Sequence, residues 1–162
     1  MIAAALASGL LPAGCTTGED RAPAPNPTDT VFAPSGTPMP IPTGDEPVDL
    51  DPADFTADIT NPYWPMAIGD RWVYEEVDED GELQLVEVAV LDGTYTVAAG
   101  IEARVVRDVV TEDGDVVEDT FDWYAQDRDG NVWYLGEDTT EFEHGEPVST
   151  EGAWEAGVDG AQ

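Results

Sequence analysis

Three short acidic segments that end in glycine divide the C-terminal two thirds of the chain into apolar stretches. They are residues 78–81 (DEDG), 111–114 (TEDG) and 127–130 (DRDG). Each suits a type I turn followed by a glycine with positive φ, which is a common β-hairpin connection. The stretches between them show the alternation and length of strands, without helical periodicity. We therefore expect an all-β domain, an antiparallel meander of about seven strands forming a strongly bent sheet or a partial barrel.

The turns also predict the strand register. The third turn places Tyr124 opposite Tyr134 and Trp123 opposite Leu135. The second turn places Ala103 opposite Trp123. Both turns thus put the Trp123 side chain on one apolar face, and a strand slipped by one residue would not preserve that agreement. The first turn gives one face to Trp72, Tyr74, Val86, Val88 and Val90.

The register of the second hairpin gives two arginines a structural use. It places Arg107 opposite Asp119 and Arg104 opposite Asp122. Opposite charges facing each other across a strand pair stabilise a sheet by roughly 0.2–1 kcal/mol. We expect both ion pairs in the folded domain.

The charge of the chain restricts its partners. The formal net charge is −31, with five basic residues, all of them arginine, against 36 acidic ones. Binding to nucleic acid depends on clustered basic side chains, so we expect no nucleic-acid partner. The dispersed acidity is typical of a well-solvated surface.

The N-terminal segment predicts export and a lipid anchor. Residues 1–14 form a short apolar run, and Cys15 follows it. The run has the length of a signal-peptide core and is too short for a permanent membrane helix. The sequence LPAGC at 11–15 resembles the lipobox of bacterial lipoproteins, which implies lipidation of Cys15 and membrane anchoring outside the cytoplasm. A plain secretory leader is the alternative.

The rest of the chain divides at a change of composition. Residues 16–50 are rich in proline, threonine and glycine, which favours an extended tether. Residues 51–162 are expected to form the acidic β domain. Cys15 is the chain's single cysteine, so this domain has no disulfide.

Residues of enzymatic type are sparse. His144 is the single histidine and lies beside a glycine turn among glutamates, and no serine stands in a G-x-S-x-G context. We expect no catalytic residues and a non-enzymatic protein. A hydrolase of envelope polymers is the more remote alternative.

The third turn contains a candidate calcium site. Asp127, Asp129 and Asn131 match the first, third and fifth positions of an EF-hand loop, and Asp138 falls at the twelfth. Val132 stands where that loop needs glycine, and the flanking segments are strands. Calcium is therefore the one cofactor to consider, and an ordinary hairpin turn is the competing explanation.

The same hairpin carries a candidate ligand face. Tyr124 and Tyr134 face each other near Asp122, on the side opposite Trp123. Such a pair can stack on a sugar or a peptide, although aromatic pairs on strands often pack beneath another element. The expected partner is an envelope polymer or a protein.

The sequences DWYAQDRDGNVWYLGEDT (122–139) and GAWEAGVDGAQ (152–162) resemble an uncharacterised group of secreted bacterial β-rich proteins. The resemblance covers roughly residue 61 to the C-terminus. Because chains of that group continue past the equivalent of 157–162, it implies that final strands are truncated here. We expect an envelope lipoprotein that displays an acidic β domain for binding or envelope maintenance, with a calcium-stabilised secreted module as the alternative.

Overall fold

The computed structural model describes residues 37–38, 41, 50–78 and 81–161. Cys15 and nearly all of the expected tether lie outside these ranges, so their predicted roles stay predictions. Among the described residues, no helix has the length and apolarity needed to cross a bilayer.

The domain is all-β, as predicted, and its sheet is antiparallel and open. In the described part of the chain, a 3₁₀ turn, Pro52–Asp54, precedes eight strands: β1 (Phe55–Thr56), β2 (Arg71–Val77), β3 (Leu83–Thr96), β4 (Glu102–Glu112), β5 (Asp115–Asp127), β6 (Val132–Glu143), β7 (Glu146–Ser149) and β8 (Trp154–Glu155). Strands β2 to β7 lie in sequence order, so the predicted meander is confirmed. The short β1 pairs with β5, and β8 pairs with β6. The sheet does not close into a barrel.

The predicted register is confirmed in the first hairpin and, next to its turn, in the third. Trp72 lies opposite Val88, and Tyr124 lies opposite Tyr134. Beyond Tyr124 the β5–β6 ladder contains a bulge, after which Asp122 pairs with Glu137. The expected pairing of Trp123 with Leu135 falls at this irregularity.

The predicted register of the second hairpin is wrong by two residues. Ala103 was expected opposite Trp123, but Val105 takes that position. The chain turns on two residues alone, Asp113 and Gly114, which both have positive φ (51° and 93°). This tight turn displaces the register by one residue, and a bulge after Val110 displaces it by another. A shift of two keeps every side chain on its predicted face.

One of the two expected ion pairs forms. Arg107 binds both carboxylate oxygens of Asp119 at 2.7 Å from its diagonal position. The Arg104–Asp122 pair is wrong. Arg104 is buried, and its guanidinium donates to the carbonyls of Ala57, Leu91 and Gly93.

Two long strands contain irregularities at glycine. Asp92 and Gly93 lie at an irregularity inside the continuous strand β3, and Arg104 donates to the carbonyls of Leu91 and Gly93 there. Strand β6 continues through Gly136 to Glu143. Gly136 has φ 136°, and a Cβ there would lie 2.4 Å from the carbonyl oxygen of Trp154. Glycine is therefore required where β8 pairs with β6 beside the bulge.

The two faces of the sheet carry different packing. The first, called here the core face, holds the larger buried cluster: Val97, Ile101, Ala103, Trp123, Ala125, Leu135 and Ala156. The second, called here the groove face, holds a smaller cluster: Ile59, Met66, Val90 and Val106, with Trp72, Val88, Tyr124 and Val132 packed against it. Neighbouring residues such as Trp123 and Tyr124 point to opposite faces because side chains alternate along a strand.

Candidate functional site

An irregular segment, residues 59–66, lies over the groove face and is fixed there by specific hydrogen bonds. The side chain of Asn61 donates to the carbonyl of Gly130 at 2.7 Å and accepts from the amides of Tyr63 and Trp64. The amide of Thr60 donates to Gln126 at 2.9 Å. These bonds tie the segment to the β5–β6 hairpin. The segment therefore covers part of the groove face, and Ile59 and Met66 are buried in its cluster.

A groove of about 340 Å³ remains between this segment and strands β2 to β5. Its lining is aromatic and apolar except for two carboxyl groups. The lining residues are Tyr63, Trp64, Pro65, Met66, Trp72, Tyr74, Val88, Val106, Asp108, Asp122 and Tyr124. A concave, mostly apolar site with a few polar groups is the usual form of a small-molecule binding site.

The two carboxyl groups are neighbours across strands β4 and β5. Asp122 lies opposite Val106 and Asp108 lies opposite Thr120, so the two acids occupy diagonal positions on the same face. Diagonal neighbours in an antiparallel pair lie about 7–8 Å apart. Asp122 is buried, and Oδ1 of Asp108 is inaccessible to solvent and has no hydrogen-bond partner among the described residues.

These surroundings disfavour the charged form of both acids. Burial raises the pKa of Asp108 to about 6, and the negative charges of Asp122, Glu118 and Glu76 add to the effect. Burial likewise raises the pKa of Asp122 to about 6. A hydrogen bond from Tyr134 opposes that rise, while the charges of Glu137 and Glu118 support it. Both groups therefore titrate close to neutral pH.

Four aromatic rings form a chain of contacts that begins with two rings of the groove lining, Trp64 and Tyr124. Trp64 contacts Tyr124 edge-on at 5.1 Å between centroids, and Tyr124 stacks on Tyr134 at 4.9 Å. Tyr134 in turn contacts Trp154 edge-on at 5.4 Å, and its hydroxyl donates to Oδ1 of Asp122 at 2.7 Å. Burial and the nearby carboxylate charges raise the pKa of both tyrosines, so their hydroxyls stay protonated.

The predicted ligand face is thus brought together: Asp122, Tyr124 and Tyr134 are in mutual proximity. Sequence reasoning missed Asp108, Trp64 and Trp72 as parts of the same site. Trp72 and Tyr124 had both been placed on strand faces, but no pattern in the sequence indicated that residues 59–66 would roof the space between them.

The proposed calcium loop has a structural explanation. Asp127 is buried, and its carboxylate accepts hydrogen bonds from the amides of Asp129 and Asn131, from the Asn131 side chain and from the Trp133 indole. Burial alone would raise the pKa of Asp127, but these four bonds lower it below its ordinary value. The carboxylate organises the hairpin turn.

The fourth predicted ligand is remote from that loop. Asp138 lies opposite Phe121, six residues beyond Val132 at the start of β6. Six strand residues span roughly 20 Å, so Asp138 does not reach the turn. Among the described residues, no group of three or more histidine, cysteine or acidic side chains has the geometry of a metal site. Calcium binding stays an untested prediction.

His144 occupies the tight turn between β6 and β7. Its φ is 53°, and its side chain is exposed, as expected for a loop residue.

Comparison of the chain with protein-family models, with curated proteins and with solved structures finds no match in any of the three. The candidate site therefore rests on geometry alone.

Proposed function

We propose that this protein is a non-enzymatic binding protein of the cell envelope and that its ligand occupies the groove. In this proposal the chain is exported, lipidated at Cys15 and carried clear of the membrane by the tether at 16–50. The observation that supports a binding function is the placement of Asp108 and Asp122 in an aromatic groove that disfavours their charge.

Such a placement is costly for a purely structural sheet. A buried carboxylate without a full set of donors destabilises the folded state, and the charge of Asp122 adds to the cost of ionising Asp108. Groups that reduce stability and titrate near neutrality inside a cavity are typical of functional sites. A ligand that satisfies both acids would offset the cost.

The groove is tested with the full chain and insoluble envelope polymer. Trp64 is half-exposed and lines the groove, so Trp64→Ala should leave the fold intact and reduce co-sedimentation with the polymer at least fivefold; loss of one aromatic anchor costs about 1 kcal/mol or more. Tyr95→Ala is the matched control, because Tyr95 is a similarly exposed aromatic that stacks on Trp123 at the other face. Equal binding by both variants would remove the groove from the proposal.

Anchoring is tested separately in cells. A labelled fatty-acid analogue should be incorporated into the wild-type chain and not into Cys15→Ser. Incorporation that survives the substitution would refute lipidation at Cys15 and leave the groove untouched.

A second candidate is hydrolysis of an envelope polymer, and the placement of two neighbouring acids in one groove is the observation that favours it. Glycosidases use two carboxyl groups whose environments separate an acid from a nucleophile or base. Here both groups are raised to about 6, which gives little separation. Release of soluble fragments that is abolished by both Asp108→Asn and Asp122→Asn would replace the binding proposal with this one.

A further inference from the structure

The charge of the groove narrows the ligand class. Its two ionisable acids are Asp108 and Asp122, and its described lining includes no arginine or histidine. The chain has no lysine at all, and its net charge is −31. The potential in the groove is therefore negative whenever either acid is ionised, which attracts cations and repels anions.

The two acids have few hydrogen-bond donors around them. Tyr134 supplies one donor to Oδ1 of Asp122, while the buried Oδ1 of Asp108 has no partner among the described residues. A buried acceptor of this kind destabilises the folded state until a donor reaches it. The diagonal spacing of the two carboxyl groups lets a single group with several N–H bonds contact both.

The walls of the groove favour a weakly hydrated organic cation over a metal ion. Trp64, Trp72 and Tyr124 present ring surfaces beside the acids. Ring faces attract organic cations, and a planar guanidinium group both stacks on them and donates to carboxylates. A divalent metal ion would instead require more oxygen ligands than the lining offers.

From these three observations we propose that the groove binds an organic cation with N–H donors, a guanidinium or alkylammonium group held between Asp108 and Asp122 against the aromatic wall. This inference rests on the proposed binding function and names the chemistry of its ligand. The cation belongs either to a soluble amine or to a side group of an envelope polymer.

The proposal has a consequence for pH. The charged and titratable groups around the two acids are Glu76, Glu118, Glu137, Tyr63, Tyr74, Tyr124 and Tyr134. The raised pKa of Tyr124 and Tyr134 keeps their hydroxyls neutral, so we assign the pH dependence to the two aspartates. Cation affinity should fall at least tenfold between pH 7.5 and pH 5, because binding requires the ionised carboxylates.

The test is a titration of the full chain with methylguanidine, in which NMR chemical shifts and tryptophan fluorescence report binding. Methylurea is the neutral isostere, and tetramethylammonium is a cation without N–H donors. We expect methylguanidine to bind at millimolar concentration, which suits so small a ligand, and methylurea to bind at least tenfold more weakly. The affinity for tetramethylammonium should lie between those for methylguanidine and methylurea. Equal binding of methylurea and methylguanidine, or tighter binding of calcium, would overturn the proposal.

Variants locate the site. Asp108→Asn and Asp122→Asn should each weaken methylguanidine binding at least fivefold. Asp92→Asn removes the same charge from an exposed position on β3 and should change it less than twofold. Equal loss in all three variants would mean that net charge alone attracts the cation and would contradict a built site.

Competition separates this inference from the function on which it rests. If methylguanidine displaces the chain from insoluble polymer, the polymer carries the cation. If it binds without displacing the polymer, the inference stands with a soluble ligand. If co-sedimentation with the polymer depends on Trp64 but methylguanidine does not bind, the inference is overturned and the proposed binding function still stands.

Discussion

Two acidic regions of this sheet shift the pKa values of their carboxyl groups in opposite directions. At the β5–β6 turn, Asp127 accepts four hydrogen bonds, which lower its pKa despite its burial. In the groove, burial raises the pKa of Asp108 and Asp122 to about 6, and the described residues supply one donor, from Tyr134. All three carboxylates lie in the same sheet. What distinguishes them is the number of hydrogen-bond donors around each one.

This contrast separates a structural acid from a candidate ligand-binding acid. Asp127 has its donors built into the fold, so its ionised form stabilises the hairpin. Asp108 and Asp122 share a single donor, the Tyr134 hydroxyl on Asp122, so their ionised forms destabilise the sheet until further donors reach them. The sequence left the role of Asp127 open, since its loop matched part of a calcium site and an ordinary hairpin turn was the competing explanation.

The largest expected effect is on Asp127. At pH 7, Asp127→Asn should lower the free energy of unfolding by about 2–3 kcal/mol, because an amide accepts through one oxygen and turns its NH₂ toward donors. The folded pKa of Asp127 is depressed, so its stabilisation is present above the unfolded pKa and lost as pH falls through the folded one. Urea unfolding at pH 7 and pH 3 should therefore show the difference shrinking in acid.

The control for Asp127 is Asp113→Asn in the neighbouring tight turn. Asp113 is exposed with φ 51°, a conformation that asparagine tolerates well, so the change should stay within about 0.5 kcal/mol. Equal destabilisation by both variants would show that charge near the turns matters, and not the four bonds.

For the groove acids, the dependence of protein stability on pH should have the opposite sign. The folded pKa of Asp108 is raised to about 6, so the folded state binds a proton more tightly than the unfolded one, and stability falls as pH rises from about 4 to 6. Asp108→Asn removes this loss and should stabilise the chain at pH 8 by about 1 kcal/mol, a value discounted for partial exposure. Urea unfolding at pH 8 and pH 4 measures it, with Asp92→Asn as the surface-charge control. A less stable Asp108→Asn variant at pH 8 would contradict the comparison.

The sequence predicted the faces of the sheet better than its register, and this difference explains which part of the site was found. Asp122, Tyr124 and Tyr134 lie on one hairpin whose turn was correctly identified, so their proximity followed from local pairing. Asp108 lies across the second hairpin. The predicted register would have placed it opposite Glu118, four residues from Asp122, whereas the observed register places it opposite Thr120. The two-residue error concealed the acid pair.

Other contacts were beyond the sequence for a different reason. Arg104 binds carbonyls of Ala57, Leu91 and Gly93, which lie 47, 13 and 11 residues away in the chain. Backbone carbonyls carry no sequence signal, while Asp122 offered an obvious charged partner. The Asp113–Gly114 dipeptide, by contrast, is a known signal for a two-residue hairpin turn, and giving it weight would have corrected half of the register error.

A smaller effect is expected when the hydroxyl that donates to Asp122 is removed. Tyr134→Phe keeps the ring stack on Tyr124 and removes the hydroxyl that donates to Asp122. Because that bond lowers the pKa of Asp122, the pKa should rise further above its present value of about 6. Stability at pH 8 should fall by about 1 kcal/mol. Carboxyl NMR titration measures the pKa, and Tyr124→Phe, which leaves the Tyr134 hydroxyl in place, should move it less.

The smallest expected effect is that of calcium, and it tests the assignment of Asp127 directly. A site of the affinity usual in extracellular modules, with Kd about 1 mM, would gain roughly 1.4 kcal/mol at about 10 mM calcium, enough to raise Tm by several degrees. The oxygens of Asp127 already accept four hydrogen bonds, and Asp138 lies opposite Phe121, remote from the turn. Calcium should therefore raise Tm no more than magnesium does at the same concentration, since both ions screen the acidic surface. A calcium-specific rise that disappears in Asn131→Ala would show that the loop exchanges its internal hydrogen bonds for a metal ion, and the distinction between the two acidic regions would then be one of degree.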